Sequence, residues 1–273
     1  MEEITAEYAA KELADRPELR ISPQVTIACK SDLGRVRENN EDKFEYYLAS
    51  DDATLAFRGH IFLVCDGMGG HAAGQIASEL ATKTFIDVYL NHPSANTEEA
   101  LAAAIKAANR FVLDVARAVP SRRGMGTTMS GLILLQDKAH VIQVGDSRVY
   151  RLREGKYEQL TNDHGWVEEA IARGEIPPEA AEDHPYKHVL TRAVGTEDSV
   201  EPDLFEFDSK AGDVYLLCSD GLTNHVKDSE MLEVLTSMGP SEAAWKLVGK
   251  ALFDGGSDNC TVMIVRVDEL REV

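Results

Sequence analysis

Cysteine is scarce, and what there is does not pair by spacing. The four cysteines, Cys29, Cys65, Cys218 and Cys260, form no C-x-x-C, and each sits in or beside an apolar, strand-like run. That pattern argues against structural zinc and for buried free thiols in a reducing compartment. Positive charge is also short: 28 Lys plus Arg stand against 47 Asp plus Glu, a net charge of −19. A nucleic-acid-binding surface needs a basic patch, and none is visible. No apolar run approaches the roughly 18 residues that span a bilayer. Residues 1–23 lack the basic n-region and apolar h-region of a secretory signal. The expectation is a cytoplasmic protein with no nucleic-acid or membrane partner, acting as a monomer. The acidic excess keeps such a chain soluble and poses a question of its own: does part of it gather to hold cations?

What is present suits one large globular unit. The chain has 273 residues, 44% of them hydrophobic and 27% charged, enough to bury a sizeable core. Residues 5–15 read as a short amphipathic helix ended by Pro17, within an N-terminal extension of residues 1–23. The remainder, 24–273, reads as a single domain. Strands are expected at 24–31, 43–49, 59–66, 128–136, 139–146, 148–153, 205–208, 213–220 and 260–268. Long helices are expected at 72–90, with Ile76, Leu80, Phe85 and Val88 on one stripe, and at 97–117, with Leu101, Ile105, Phe111 and Val115. Two more are expected at 228–238 and 241–253. Strands come in runs and helices in pairs, which argues for antiparallel sheets covered by helices rather than alternating βαβ units.

The informative pattern is where the acids fall. Asp66, Asp146 and Asp220 each close an apolar strand run, and Asp42 and Asp258 each stand just before one. Glycine adjoins several of them, at Gly67, Gly145, Gly221 and the Gly255-Gly256 pair, and lets the backbone approach a ligand closely. One aspartate at a strand tip is ordinarily a turn or cap residue. Five on strands of one core are harder to dismiss. If they converge, their repulsion has to be offset by cations. All-oxygen donors suit Mg²⁺ or Mn²⁺ rather than Zn²⁺, and two such ions about 3.5–4 Å apart form a recognised hydrolytic site. Spacing alone leaves convergence open.

Eight segments then carry a resemblance. SDLGRVRENNEDKF (31–44), FLVCDGMGGHAAGQIAS (62–78), GMGTTMSG (124–131), VGDSRVYRL (144–152), LTNDH (160–164), LTRAVG (190–195), LLCSDGLTNHV (216–226) and GGSDNCTVMIV (255–265) resemble, in order and spacing, the type 2C metal-dependent serine/threonine phosphatases, the PPM family in its bacterial form. The match runs from about Val25 to Val267. The resemblance implies an α+β fold: a β-sandwich of two antiparallel sheets flanked by helices on both sides, four layers in the order αββα.

It also implies roles. Asp66 bridges two Mn²⁺ or Mg²⁺ ions, joined by the Gly67 carbonyl. Asp42 serves one ion, with Glu41 orienting bound water, and Asp220 and Asp258 serve the other. Asp146 matches a residue linked to a third, weaker ion shared with Asp220. Arg37 matches the arginine that grips the phosphoryl group. The implied reaction is direct attack on phosphoserine or phosphothreonine in proteins by a water bridging the ions, with no phosphoenzyme. The implied partners are phosphoproteins and a serine/threonine kinase whose work the enzyme reverses.

Some members carry a histidine directly after the bridging Asp-Gly as general acid. Here Met68-Gly69-Gly70 intervene before His71, and the general-acid and packing readings of His71 both stay open. His164, His184 and His188 read as structural. The stretch 162–188 corresponds to the family's variable flap beside the cleft; its helix carries Trp166, Val167, Ala170 and Ile171 on one face. Two other functions fit the same fold, a hydrolase of small phosphate esters and an inactive binding module. Presence of every expected carboxylate and of Arg37 weighs against the second.

Overall fold

The computed structural model describes residues 17–70, 72–181 and 184–273. The helix expected at 5–15 and His71 lie outside the described residues.

Two five-stranded antiparallel sheets face each other. The first comprises β1 (Ile21–Asp32), β8 (Arg148–Arg153), β9 (Lys156–Gln159), β11 (Val214–Cys218) and β12 (Cys260–Glu272), in the order β1-β12-β11-β8-β9. The second comprises β2 (Lys43–Tyr47), β3 (His60–Cys65), β6 (Met129–Leu135), β7 (Lys138–Val144) and β10 (Asp203–Asp208), in the order β10-β7-β6-β3-β2. A two-stranded ribbon of β4 (Gly67–Met68) and β5 (Gly126–Thr127) adjoins the end of β3.

The alternation of strand side chains builds three apolar layers. In β3, Phe62 and Val64 point between the sheets, where they meet Tyr215, Leu217, Met263 and Val265 of the first sheet. Ile61, Leu63 and Cys65 point outward, under α2 (Ala72–Asn91) and α3 (Thr97–Ala118). Because β3 is covered on both faces, its run is apolar without interruption. On the opposite outer face, Leu216, Cys218, Val262 and Ile264 pack under α6 (Asp228–Ser237) and α7 (Pro240–Phe253). The order is helix, sheet, sheet, helix, as the resemblance implied. Each fully buried Leu, Ile, Val or Phe contributes about 1.5–3 kcal/mol.

The long helices bury part of the expected stripes, Phe85, Leu101 and Ile105, but their deepest runs are small residues. On α2 the deepest positions are Ala73, Ala77 and Ala81, followed by Phe85 and Tyr89; Ile76, Leu80 and Val88 flank them, partly buried. On α3 they are Ala100, Ala104, Ala108 and Val112 beside Leu101 and Ile105, while Phe111 is 46% exposed. Small residues let these two helices approach each other and the sheet closely, so the bulky residues fall to the flank.

Three short elements stand where loops were expected. Helix α1 (Asp52–Arg58) is capped by Asp51, whose carboxylate accepts from Thr54 N at 2.8 Å. Strand β9 pairs with β8 across Glu154-Gly155, both at positive φ. A four-residue helix, α5 (Asp220–Thr223), begins at one of the strand-tip aspartates. Strand β1 starts at Ile21, inside the segment read as an extension, and β12 runs on to Glu272.

Candidate metal centre

Strand pairing brings the five aspartates to one end of the sandwich. Lys43 pairs with Cys65, so Asp42 and Asp66 are neighbours at the start of β2 and the end of β3. Cys218 pairs with Val262, so Asp220 and Asp258 flank the same end of the other sheet. Val144 pairs with Met129 beside β3, which brings Asp146 into the group. Three carboxylates therefore come from one sheet and two from the other. Four of them, Asp66, Asp146, Asp220 and Asp258, line a cavity of about 950 Å³ together with Arg37 and Glu41.

The convergence has an electrostatic consequence. Burial and then the Asp42, Asp220, Asp146 and Asp258 charges hold Asp66 well above the usual carboxylate range. Burial, opposed by a hydrogen bond from Ser219 and aided by Asp220 and Asp258, pushes Asp42 up to about 7. Asp146 rises to about 7 through burial and the nearby Asp220 and Asp163. Asp220 is raised by burial and by Asp258. Two carboxylate oxygens, Asp42 Oδ1 and Asp220 Oδ1, are buried without a hydrogen-bond partner. Such orphaned anionic oxygens are costly unless a cation faces them.

These are hard oxygen donors, and they fit Mg²⁺ or Mn²⁺. Among the described residues no three His, Cys, Asp or Glu side chains are gathered tightly enough to cage an ion by themselves. Ions that keep several waters need only one or two carboxylates each, and the cavity leaves space for that water.

The detailed positions differ from the sequence expectation in two ways. Asp42 is not part of the cavity wall: it is 7% exposed and accepts from Ser219 Oγ at 2.7 Å through Oδ2. Arg37 does not stand free for a ligand. Its Nη2 lies 2.7 Å from Asp258 Oδ2, and that hydrogen bond raises its pKa above the ordinary value. Gly67 sits where no other residue fits: a Cβ there would come within 2.1 Å of Gly74 O and 2.6 Å of Glu41 O. Gly67 N donates to Glu41 O at 3.1 Å, which ties the Asp66-Gly67 step to the Glu41-Asp42 step.

Several supporting residues were not anticipated. Ser219 precedes Asp220 and holds Asp42; its Oγ also accepts from Thr261 N at 3.0 Å. Asn259, 4% exposed, accepts from Glu41 N at 2.8 Å and donates to Leu33 O and Asn39 O at 2.8 and 3.0 Å, so it pins the loop that bears Arg37. Asn224 Nδ2 donates to Asp220 Oδ2 at 3.0 Å. Their one sequence signal is adjacency to the aspartates.

The histidines divide. His164 is buried, with its Nδ1 accepting from Gly145 N at 3.2 Å and its Nε2 3.2 Å from Asp203 Oδ2. His184 stacks on Trp166, ring centroids 4.9 Å apart. His188, read as structural, lines the cavity beside Asp220. The flap helix, α4 (Trp166–Ala172), buries Val167 and Ala170 and leaves Trp166 and Ile171 partly covered. All four cysteines are free, three of them buried, and burial pushes the Cys218 thiol up to about 12, which leaves it inert.

Comparison with known proteins places this arrangement in context. A family model described as Protein phosphatase 2C matches residues 35–247. The serine/threonine phosphatase Stp of Listeria monocytogenes is 39% identical over 244 residues, covering 88% of this chain and 94% of the relative. The serine/threonine protein phosphatase PstP of Mycobacterium tuberculosis is 36% identical over 248 residues, 91% of this chain. The chain spans about half the length of that mycobacterial relative, 46%. The crystal structure of the catalytic domain of PstP in complex with two manganese ions superposes with a TM-score of 0.76 at 36% identity, covering 90% of this chain and 99% of that one.

Proposed function

From the fact that the chain belongs to the protein phosphatase 2C family, we propose that it removes phosphate from serine and threonine side chains of proteins with the help of two divalent cations, Mn²⁺ or Mg²⁺. The observation that carries this reading is the convergence of five strand-end carboxylates at one end of the sandwich, four lining one large cavity and Asp42 buried beside them, with two buried oxygens that lack a partner.

Asp42, Asp66, Asp220, Asp258 and the Gly67 carbonyl would hold the two ions, with Asp66 central because every other aspartate of the group acts on it. Asp146 and Asp220 would share a third, weaker ion, and Glu41 would orient water. When bound, the ions supply an acidified water near neutral pH and neutralise charge on the phosphoryl oxygens. Ser219 holds one oxygen of Asp42 and leaves the other for coordination. Asn259 keeps the Arg37 loop against the Asp258 strand end. Arg37, held on the cavity wall by Asp258, would grip the phosphoryl group, since its planar fork suits two phosphoryl oxygens. Attack by water would leave no phosphoenzyme.

The natural partners in this reading are phosphoproteins and the serine/threonine kinase that modifies them, in the cytoplasm. Four free cysteines agree with a reducing compartment. No helix among the described residues is long and apolar enough to cross a membrane. The test is phosphate release from a phosphothreonine peptide with and without Mn²⁺ and with excess chelator. Release that needs Mn²⁺ and stops with chelator is expected. Undiminished release in chelator would overturn the two-ion reading.

A further inference from the structure

Thr128 stands between two of the carboxylates and touches the supports of both. It is 2% exposed. Its Oγ1 accepts from Asp66 N at 2.8 Å, and its own N donates to Asp66 O at 2.8 Å. Thr127 Oγ1 donates to the same carbonyl at 2.8 Å. Both main-chain polar groups of Asp66 are thus held from this one place. On its other side Thr128 Oγ1 shares a hydrogen bond with Ser147 Oγ at 2.8 Å. Its methyl Cγ2 covers Gly145: a Cβ built at Gly145 would lie 2.6 Å from it. Gly145 and Ser147 are the two residues that flank Asp146.

The turn that Thr128 abuts is itself rigid. Gln143, fully buried, donates from Nε2 to Gly145 O and to Ser147 O, each at 2.7 Å. Ser130 Oγ lies 2.6 Å from Gln143 Oε1 and 2.7 Å from Ser147 O, and its single proton is shared between them. On the far side His164 N donates to Gly145 O at 2.9 Å. Asp146 therefore rides on a fixed turn, Asp66 on a fixed strand end, and Thr128 is the spacer that joins them by hydroxyl and by methyl. Two anionic groups brought close repel, and without such a spacer the ends of β3 and β7 would relax apart.

We infer that Thr128 is a positioning residue that sets the separation of Asp66 and Asp146, and with it the affinity of the centre for divalent cations. The inference rests on the metal-dependent reading above. Groups that orient ligands in this way typically control metal affinity by about 10–100-fold. Thr128→Val keeps the shape and loses both hydroxyl contacts. Thr128→Ser keeps the hydroxyl and loses the methyl. Ser147→Ala cuts the link to the Asp146 turn and leaves the bond from Asp66 N intact. Thr82→Val removes a buried hydroxyl from α2 that touches none of the five aspartates, where Thr82 Oγ1 donates to Ser78 O at 3.0 Å, and serves as a stability control.

The experiment is calorimetric titration of each metal-free protein with Mn²⁺ alone, beside its metal-free melting temperature. Thr128→Val and Ser147→Ala should bind Mn²⁺ at least about tenfold more weakly than wild type, and Thr128→Ser and Thr82→Val within about threefold. Wild-type affinity in Thr128→Val would overturn the proposal, or in Ser147→Ala if Thr128→Val fails to fold. So would an affinity that merely follows melting temperature across all four variants, Thr82→Val included. Absence of Mn²⁺ binding by wild type would instead remove the metal-dependent reading, and this inference with it.

Discussion

Arg37 and Asp258 form an ion pair at 2.7 Å on the wall of the cavity, between a loop that leaves β1 and the residue pair that opens β12. In the proposed reaction one side chain would grip the phosphoryl group and the other would serve a metal ion. Arg37→Ala should therefore lower kcat/KM on a phosphothreonine peptide by about 10–100-fold, from the loss of a charge-assisted bond of about 1.5–3 kcal/mol. Mn²⁺ affinity should stay level or tighten slightly, because Asp258 loses a competitor. Steady-state kinetics beside a Mn²⁺ titration decides it; a large loss of Mn²⁺ binding with an unchanged KM would assign Arg37 a structural role.

Asp66→Asn should separate activity from stability. Loss of the central carboxylate should reduce kcat by on the order of a thousandfold at saturating Mn²⁺. The same change removes the charge on which four other aspartates act, so the metal-free variant should melt at a higher temperature than metal-free wild type near pH 8. Near-normal kcat, or a lower metal-free melting temperature, would contradict the assignment.

The raised carboxyls give the metal-free protein a definite pH dependence. Asp42 and Asp146 titrate near 3.8 when unfolded and at about 7 when folded. Between those values the folded state binds more protons than the unfolded one, so stability falls as pH rises toward about 7 and stays low above it. Melting temperature without metal should be higher at about pH 5.5 than at about pH 8, and the increase caused by Mn²⁺ should be larger at the higher pH. A Mn²⁺-induced increase that shrinks on going to the higher pH would show that these groups are not ionising against burial.

The flap should choose substrates without performing chemistry. Its aromatic cluster sets Trp166 against His184 and Tyr186, with ring centroids 4.9 and 5.2 Å away, and Tyr186 is 53% exposed beside the cleft-lining His188. Loops on a rigid scaffold commonly carry specificity. Tyr186→Ala should leave hydrolysis of a small aryl phosphate within about threefold of wild type and shift kcat/KM on phosphoproteins by more. Equal shifts on both substrates would make the flap part of the metal centre's shape instead.

The strand-tip aspartates are legible as residues because strands are legible as apolar runs. Their convergence is not, since it depends on which strands pair: Lys43 with Cys65, Cys218 with Val262. Antiparallel sheets covered by helices were legible in the order of runs, the four layers came through the resemblance, and the helix faces were legible only in part, at Phe85, Leu101 and Ile105. Periodicity weights large residues, and here the deepest positions are alanines that permit close packing, which is how Phe111 came to be expected inside. The Arg37 to Asp258 pair spans 221 residues and has no local signature at all. Nor does Ser219 on Asp42, across 177. Helix α1 and strand β9 are short, and short elements carry too few periods to stand out from turns.

Three of the aspartates belong to one sheet and two to the other, at the open end of the sandwich. Cations held by carboxylates from both sheets would fasten the sheets together where their shared apolar layer ends. Divalent ion concentration then acts as a folding ligand as well as a cofactor, adding RT ln(1 + [L]/Kd) to the stability of the whole chain. In the metal-dependent reading, a protein starved of metal would lose cohesion between its layers together with the proposed activity, and its abundance in a cell would follow the same ion.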